Sequence, residues 1–139
     1  MDARQDMGVS QVISYRFEKA IGGSRSRDMD HFDAQHPLYL LTQELAHIRT
    51  NEAALRRGLQ ILRAYSDKPG LFAVSRVDPA DGHEVLLAFN TSTTAIDAHV
   101  ETSSTKFKSL HGNCAEASTA GSVRVTLEPL DFVVCTAER

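Results

Sequence analysis

The stretch that decides the fold is His36-Pro37-Leu38-Tyr39, which opens a helix running towards Leu55-Arg56-Arg57-Gly58. Pro37 suits the first turn of a helix, where its missing N–H costs no hydrogen bond. Apolar residues then recur at spacings of three and four, the pattern of a helix with one buried face. These residues are Leu38, Leu41, Leu45 and Ile48. Because an isolated helix of this length is marginal in water, the stripe predicts a docking face that packs against something else.

The helix is predicted to end at Asn51, and residues 52–57 to add a short helical turn closed by Gly58. Beyond Gly58 the chain changes to short apolar or alternating segments, separated by turns rich in Pro, Gly, Asp and Asn. The predicted strands cover residues 58–65, 71–77, 84–90, 95–101, 106–110, 123–127 and 132–135. Both faces of the 84–90 segment are apolar, which predicts a strand covered on both sides. The fold class is therefore mainly β: an antiparallel β-sandwich or Greek-key domain, preceded by one amphipathic helix and an irregular N-terminal segment.

Three regions follow from these patterns. Residues 1–35 form an irregular segment interrupted by Gly22-Gly23-Ser24-Arg25-Ser26-Arg27. Residues 36–57 form the amphipathic helix and its short turn, and residues 58–139 form the β-domain. A chain of 139 residues is long enough for one domain with its own core.

The composition excludes two classes of partner. With 24% charged residues and a formal net charge of -3, the chain offers no basic patch for nucleic acid. No apolar run approaches the roughly 20 residues needed to span a bilayer, and the N-terminus lacks the apolar core of a signal peptide. We therefore expect a soluble protein, cytoplasmic or periplasmic. Two cysteines make no disulfide framework, and Cys114 and Cys135 are expected to be free thiols.

Several stretches, taken in order, resemble the C-terminal end of enzymes of the α-amylase superfamily, the glycoside hydrolases of family 13. In that family the last helix of a (β/α)8 barrel leads directly into a small antiparallel β-domain. The sequence departs from the family pattern at Asn51-Glu52, where His-Pro is usual, and in the loop that contains Cys114. The similar stretches are Asp30-His31-Phe32-Asp33, His36-Pro37-Leu38-Tyr39, Leu45-Ala46-His47-Ile48-Arg49, Ala54-Leu55-Arg56-Arg57-Gly58, Pro69-Gly70-Leu71-Phe72-Ala73-Val74-Ser75-Arg76, Glu84-Val85-Leu86-Leu87-Ala88-Phe89-Asn90-Thr91-Ser92 and Leu127-Glu128-Pro129-Leu130.

The resemblance implies a parent enzyme that hydrolyses or transfers at α-glucosidic bonds. Its working Asp and Glu sit on earlier barrel strands, so no catalytic residue is carried over to this chain. The implied role is a C-terminal structural and docking domain, with no cofactor of its own and the missing barrel as its partner. In the isolated chain, the docking face is expected to be covered by self-association or by folding back onto the sheet.

A stand-alone β-sandwich that binds carbohydrate is the alternative, and an unrelated regulatory protein is a third, less specified one. Sugars are usually gripped by exposed aromatic rings, and this chain has no Trp and three tyrosines, at Tyr15, Tyr39 and Tyr65.

Other candidate sites have plainer explanations. The group Asp28, Asp30, His31, Asp33 and His36 could ligate a cation, but an acidic approach to a helix N-terminus explains the same residues. Asn90-Thr91-Ser92 formally matches a glycosylation sequon, yet its place at a strand end favours a turn. No metal ligand is assigned. Nucleophilic catalysis by a cysteine is disfavoured because Cys135 lies in a core-type strand.

Overall fold

The computed structural model describes residues 13, 34–114 and 121–138. The chain forms two compact units, Met1–Leu45 and Ala46–Arg139. The first helix, α1, spans Pro37–Asn51, and the short α2 spans Ala53–Arg57. The predicted division into 1–35, 36–57 and 58–139 stays a prediction. The glycine-rich stretch at 22–27 and the acidic residues before position 34 lie outside the described residues.

Side chains satisfy backbone groups at both ends of α1. At its start, Nδ1 of His36 accepts a hydrogen bond of 3.2 Å from the backbone N–H of Leu38. At its end, the guanidinium of Arg56 donates to the backbone carbonyl oxygens of Arg49, at 3.1 Å, and of Thr50. The first N–H and last C=O groups of a helix have no partner within it, so these contacts define where α1 begins and ends.

Seven strands follow among the residues that the structure describes, and every pairing between them is antiparallel. A five-stranded sheet has the order β1-β2-β3-β7-β5, and a two-stranded sheet pairs β4 with β6. After β3 the chain leaves the five-stranded sheet to form β4 and then returns to it as β5. As a result, β7 lies between β3 and β5, and such non-sequential neighbours are typical of a Greek key. The predicted fold class is confirmed. The strands are β1 Leu59–Ala64, β2 Leu71–Val77, β3 Glu84–Asn90, β4 Ile96–Glu101, β5 Phe107–His111, β6 Ser122–Leu127 and β7 Phe132–Ala137.

The core lies between the two sheets, as in a sandwich. Each strand contributes the alternate residues that point inward, because successive side chains leave a strand on opposite faces. The buried core cluster consists of Ala73, Leu86, Ala88, Val100, Phe107, Cys114, Val123, Val125, Leu127, Val133, Cys135 and Ala137.

Cys114 and Cys135 form a disulfide, with their Cα atoms 6.0 Å apart. The expectation of free thiols is therefore wrong. Composition and cysteine count could not reveal the pairing, because the two residues are 21 positions apart and meet only when β7 and the segment after β5 converge in the core. Cys135 itself is fully buried, as its strand predicted.

No helix among the described residues is long and apolar enough to cross a bilayer.

Candidate functional site

The apolar stripe of α1 changes its exposure along the helix. Leu38 is 66% exposed and Ile48 is 8% exposed, while Leu41 and Leu45 are half-buried. The exposed N-terminal end of the stripe leaves apolar surface open to a partner. The predicted docking role of these four residues stays a prediction.

A row of aromatic rings crosses the face of the five-stranded sheet that points away from the core. Phe72 pairs with Phe89 in the neighbouring strand, and Phe89 pairs with Phe132 in the next one. The ring centroids are 6.1 Å and 5.8 Å apart, with interplanar angles of 34° and 24°. His111 extends the row, since its ring centroid lies 4.5 Å from that of Phe132. We call these four residues the phenylalanine row; all of them are partly exposed.

The rest of this outer face is mixed, because the strand pairing also places Gln60, Arg76, Lys108 and Thr136 on it. Val74, Val85 and Val134 lie on it and are buried, while Leu62 on the edge strand β1 is 59% exposed. The helix α2 packs against β2 and β3 there, and its Ala54 is fully buried. The prediction that β3 is apolar on both faces is confirmed, because Val85 on one face and Leu86 on the other are both inaccessible to solvent.

A charged pair is buried on the inner side of the same sheet. Nη2 of Arg63 lies 2.8 Å from Oε1 of Glu84, and the Glu84 side chain is completely buried. Ser75 donates its hydroxyl to the same oxygen at 2.5 Å. The backbone N–H groups of Ser103 and Ser104 donate to Oε2 at 2.9 Å and 2.7 Å. Both carboxylate oxygens of Glu84 are therefore occupied, which ties β1, β2 and β3 to the segment after β4.

These contacts decide the protonation of Glu84. Burial is the largest single influence on its pKa and acts to raise it, because burial disfavours the charged form. The hydrogen bonds from Ser75 and Ser104, with the positive charge of Arg63, outweigh burial and hold the pKa of Glu84 below its ordinary value. Glu84 is thus an ionised, structural carboxylate.

A second polar cluster lines a cleft of about 380 Å³ beside α2. Nε2 of His83 lies 3.1 Å from Oε2 of Glu52 and 2.9 Å from Oγ1 of Thr136. Asn51, Lys108 and Glu138 complete the polar lining. These contacts join the residue before α2 to β7 and explain what the unusual Glu52 does. Within the described ranges, no group of three or more His, Cys, Asp or Glu side chains could hold a metal ion.

The sequence is 33% identical over 128 residues to an alpha-amylase of Streptomyces lividans, across 91% of this chain. The chain spans 14% of the length of that relative. No family model matches the sequence. The chain belongs to the α-amylase superfamily.

Solved structures agree in fold. An α-amylase from Anoxybacillus matches 81% of this chain with a TM-score of 0.64 at 18% identity, using 25% of its own length. A debranching enzyme from Nostoc punctiforme matches 72% of the chain with a TM-score of 0.61 at 20% identity, using 21% of its length. Each of these matches covers one part of a larger enzyme, as expected for a C-terminal part of an α-amylase superfamily protein.

Two of the stretches that resemble the superfamily have clear physical roles here. Gly58 closes the Ala54-Leu55-Arg56-Arg57-Gly58 stretch with its N–H 2.8 Å from the carbonyl oxygen of Ala54. A Cβ at this position would lie 2.4 Å from that oxygen and 3.0 Å from the carbonyl oxygen of Val77. Only glycine lets the chain pass this closely between α2 and β2.

Asn90 anchors the second stretch. Its Nδ2 donates to the carbonyl oxygens of Thr94 at 2.7 Å and Glu128 at 2.9 Å. Its Oδ1 accepts from the backbone N–H of Ser92 at 2.9 Å and from the Ser92 hydroxyl at 2.7 Å. Asn90 is only 3% exposed. The prediction that Asn90-Thr91-Ser92 forms a turn is confirmed, and the turn joins two loops of this α-amylase-type domain.

The Arg63–Glu84 pair and the His83 cluster were not predicted from the sequence. A signal existed for the first, since Arg63 and Glu84 are charged residues inside otherwise apolar strands. Nothing in the sequence shows that the two side chains meet, because a bulge between Leu62 and Ala64 shifts the pairing of β1 with β2 at Arg63.

Proposed function

We propose that this chain is the C-terminal structural and docking domain of an α-amylase-like glycoside hydrolase. The whole enzyme acts on α-glucosidic bonds, and this chain holds none of the catalytic groups. The observation that carries the docking role is the phenylalanine row on the outer face of the five-stranded sheet.

The geometry of the row favours a protein partner over a sugar. The Phe72 and Phe89 rings are tilted by 34°, the Phe89 and Phe132 rings are stacked at 24°, and all three are only partly exposed. No ring of the row therefore offers a fully open face to solvent. Sugars stack on exposed ring faces, whereas partly buried apolar rings pack well against protein side chains. The row therefore suits burial against another part of a folded protein.

The proposed partner is the (β/α)8 barrel of the parent enzyme. Because the chain spans 14% of the length of its relative, most of such a protein would lie outside the match. The stripe of Leu38, Leu41, Leu45 and Ile48 supplies a second apolar surface for the barrel. Without the barrel, we expect copies of the chain to associate through these surfaces.

Sedimentation velocity over a range of concentrations tests the docking role. The chain is run alone and with the separately produced barrel portion of its gene. Leu38→Ser and Leu62→Ser replace exposed apolar residues, so each should weaken association while the fold persists. Gln43→Ser is the matched control, because this glutamine is exposed and lies off the apolar stripe. A wild-type chain that stays monomeric and ignores the barrel would refute the proposal.

An activity assay tests the proposal that this chain has no catalytic activity of its own. The pure chain should release no sugar from an α-glucan, because a retaining glycosidase needs a paired nucleophile and acid/base. Measurable hydrolysis by the pure chain would contradict the proposal.

Direct binding of α-glucan is the second candidate, and it rests on Tyr65. This ring is 67% exposed just beyond the end of β1. A calorimetric glucan titration of the wild type and Tyr65→Ala decides between the two: binding that is lost in the variant favours a carbohydrate-binding module.

A further inference from the structure

The two-stranded sheet has little backbone support of its own. Within the part of the chain that the structure describes, its strands β4 and β6 pair with each other, and an isolated bridge joins Val125 to Cys114. Two strands alone are only marginally stable in water. The sheet therefore depends on whatever holds its inner face against the five-stranded sheet.

The disulfide crosses from one sheet to the other. Cys135 lies in β7, opposite Leu86 of β3 and Ser109 of β5, and is fully buried. Cys114 sits beside Val125 of β6 and is 8% exposed. The bond thus joins a central strand of the large sheet to the segment that flanks the small one.

The segment before Cys114 is fitted closely to the large sheet. Gly112 has a φ of 70°, and a Cβ there would lie 2.7 Å from Cγ1 of Val133. The backbone N–H of Cys114 donates to the Ser109 hydroxyl at 2.8 Å. This turn places Cys114 beside β6 and close enough to Cys135 to form the disulfide.

We propose that the Cys114–Cys135 disulfide is a lock that holds the two-stranded sheet on the five-stranded sheet. A dithiol reductant that reaches the buried sulfurs opens it: two electrons and two protons pass to the cystine, which becomes two thiols, while the reductant becomes a disulfide. Opening loosens β4 and β6 and leaves the order β1-β2-β3-β7-β5 in place. The lock closes only in an oxidising environment, where such bonds form and persist.

Hydrogen–deuterium exchange of the 139-residue chain tests this. Three samples are compared: the oxidised protein, the same protein reduced with dithiothreitol, and Cys114→Ala/Cys135→Ala. In the last two, amides of residues 96–101 and 122–127 should exchange faster, through local opening of the two-stranded sheet. Amides of residues 84–90 should be unchanged. Thiol titration of the denatured oxidised protein should find no free thiol.

Two controls separate the lock from other effects of the treatment. Dithiothreitol should leave the double-alanine variant unchanged, and already oxidised dithiothreitol should leave the wild type unchanged. If the double variant fails to fold, hydrogen–deuterium exchange of the reduced wild-type protein still tests the proposed lock. Free thiols in the oxidised protein, equal acceleration in all strands, or no acceleration at all would each overturn the lock.

Discussion

The two sheets of this domain differ in what they turn away from the core. The five-stranded sheet carries the phenylalanine row on its outer face, whereas the two-stranded sheet carries polar and charged side chains there. Asp97, His99, Glu101 and Arg124 are all exposed. A strand that is apolar on both faces is normally covered on both, and an alternating strand faces water on one side. The contrast supports the outer face of the five-stranded sheet as the proposed docking surface.

The two sheets also differ in how deeply their charged pairs are buried. In Arg63–Glu84 the side chains are 13% and 0% exposed, whereas in Arg124–Asp97 they are 58% and 50% exposed. The chemistry of the two pairs is alike, but the surroundings are not. A buried pair cannot lose one partner without leaving a charge in the interior, while an exposed pair can rely on water.

Glu84→Gln should have the largest effect. It removes the charge that Arg63 faces and leaves the guanidinium buried without its counter-ion, which costs about 3–5 kcal/mol of unfolding free energy. Urea denaturation at neutral pH measures the loss. Glu101→Gln is the matched control, because it makes the same change on the exposed face of the two-stranded sheet and should leave the midpoint unchanged. An equal loss of unfolding free energy in both variants would show that burial does not distinguish the charged groups of the two sheets.

Gly58→Ala tests how α2 covers the outer face of the five-stranded sheet. The new Cβ would lie 2.4 Å from the carbonyl oxygen of Ala54, so α2 or β2 must shift. Forcing extra atoms into a packed site typically costs about 1–3 kcal/mol. Thermal denaturation should show a lowered midpoint. Gly70→Ala is the control, since its Cβ would meet the Ser66 hydroxyl at an ordinary 3.4 Å; a destabilisation as large as that of Gly58→Ala would disprove the steric explanation.

Stability at acidic pH should also separate the wild type from Glu84→Gln. The pKa of Glu84 is lower in the folded chain than its ordinary value of 4.5, so the folded state binds a proton less readily than the unfolded state. Its contribution is complete above about pH 4.5 and is lost as the pH falls through the folded pKa. The difference in unfolding free energy between wild type and variant should shrink between about pH 5 and pH 3. A constant difference would mean that Glu84 is not ionised in the fold.

Most of the architecture could be predicted because it depends on local patterns. The stripe from Leu38 to Ile48 has helical spacing, and each strand is bounded by turn residues. Asn90 could be assigned to a turn because its side chain bonds to backbone only a few residues away. These signals all lie within short windows of sequence.

The missed features depend on contacts between distant parts of the chain. Arg63 meets Glu84 through a β-bulge, and Cys114 reaches Cys135 only because the segment after β5 crosses towards β6. The phenylalanine row is set by the register of three strands, which places Phe72, Phe89 and Phe132 side by side. The register of paired strands and the passage of a segment from one sheet to the other arise only when the sheets assemble. They cannot be predicted from the residues of any single segment.

Asp97→Asn should have the smallest effect of the series. The Arg124 guanidinium donates to the Asp97 carboxylate, and this hydrogen bond lowers the pKa of Asp97. Both side chains are half-exposed, however, so water can replace the lost partner and salt screens the attraction. The urea midpoint of Asp97→Asn should match that of the wild type at low and at high salt. A clear loss would mean that the outer face of the two-stranded sheet is also covered in solution, and the assignment of one docking side would then fail.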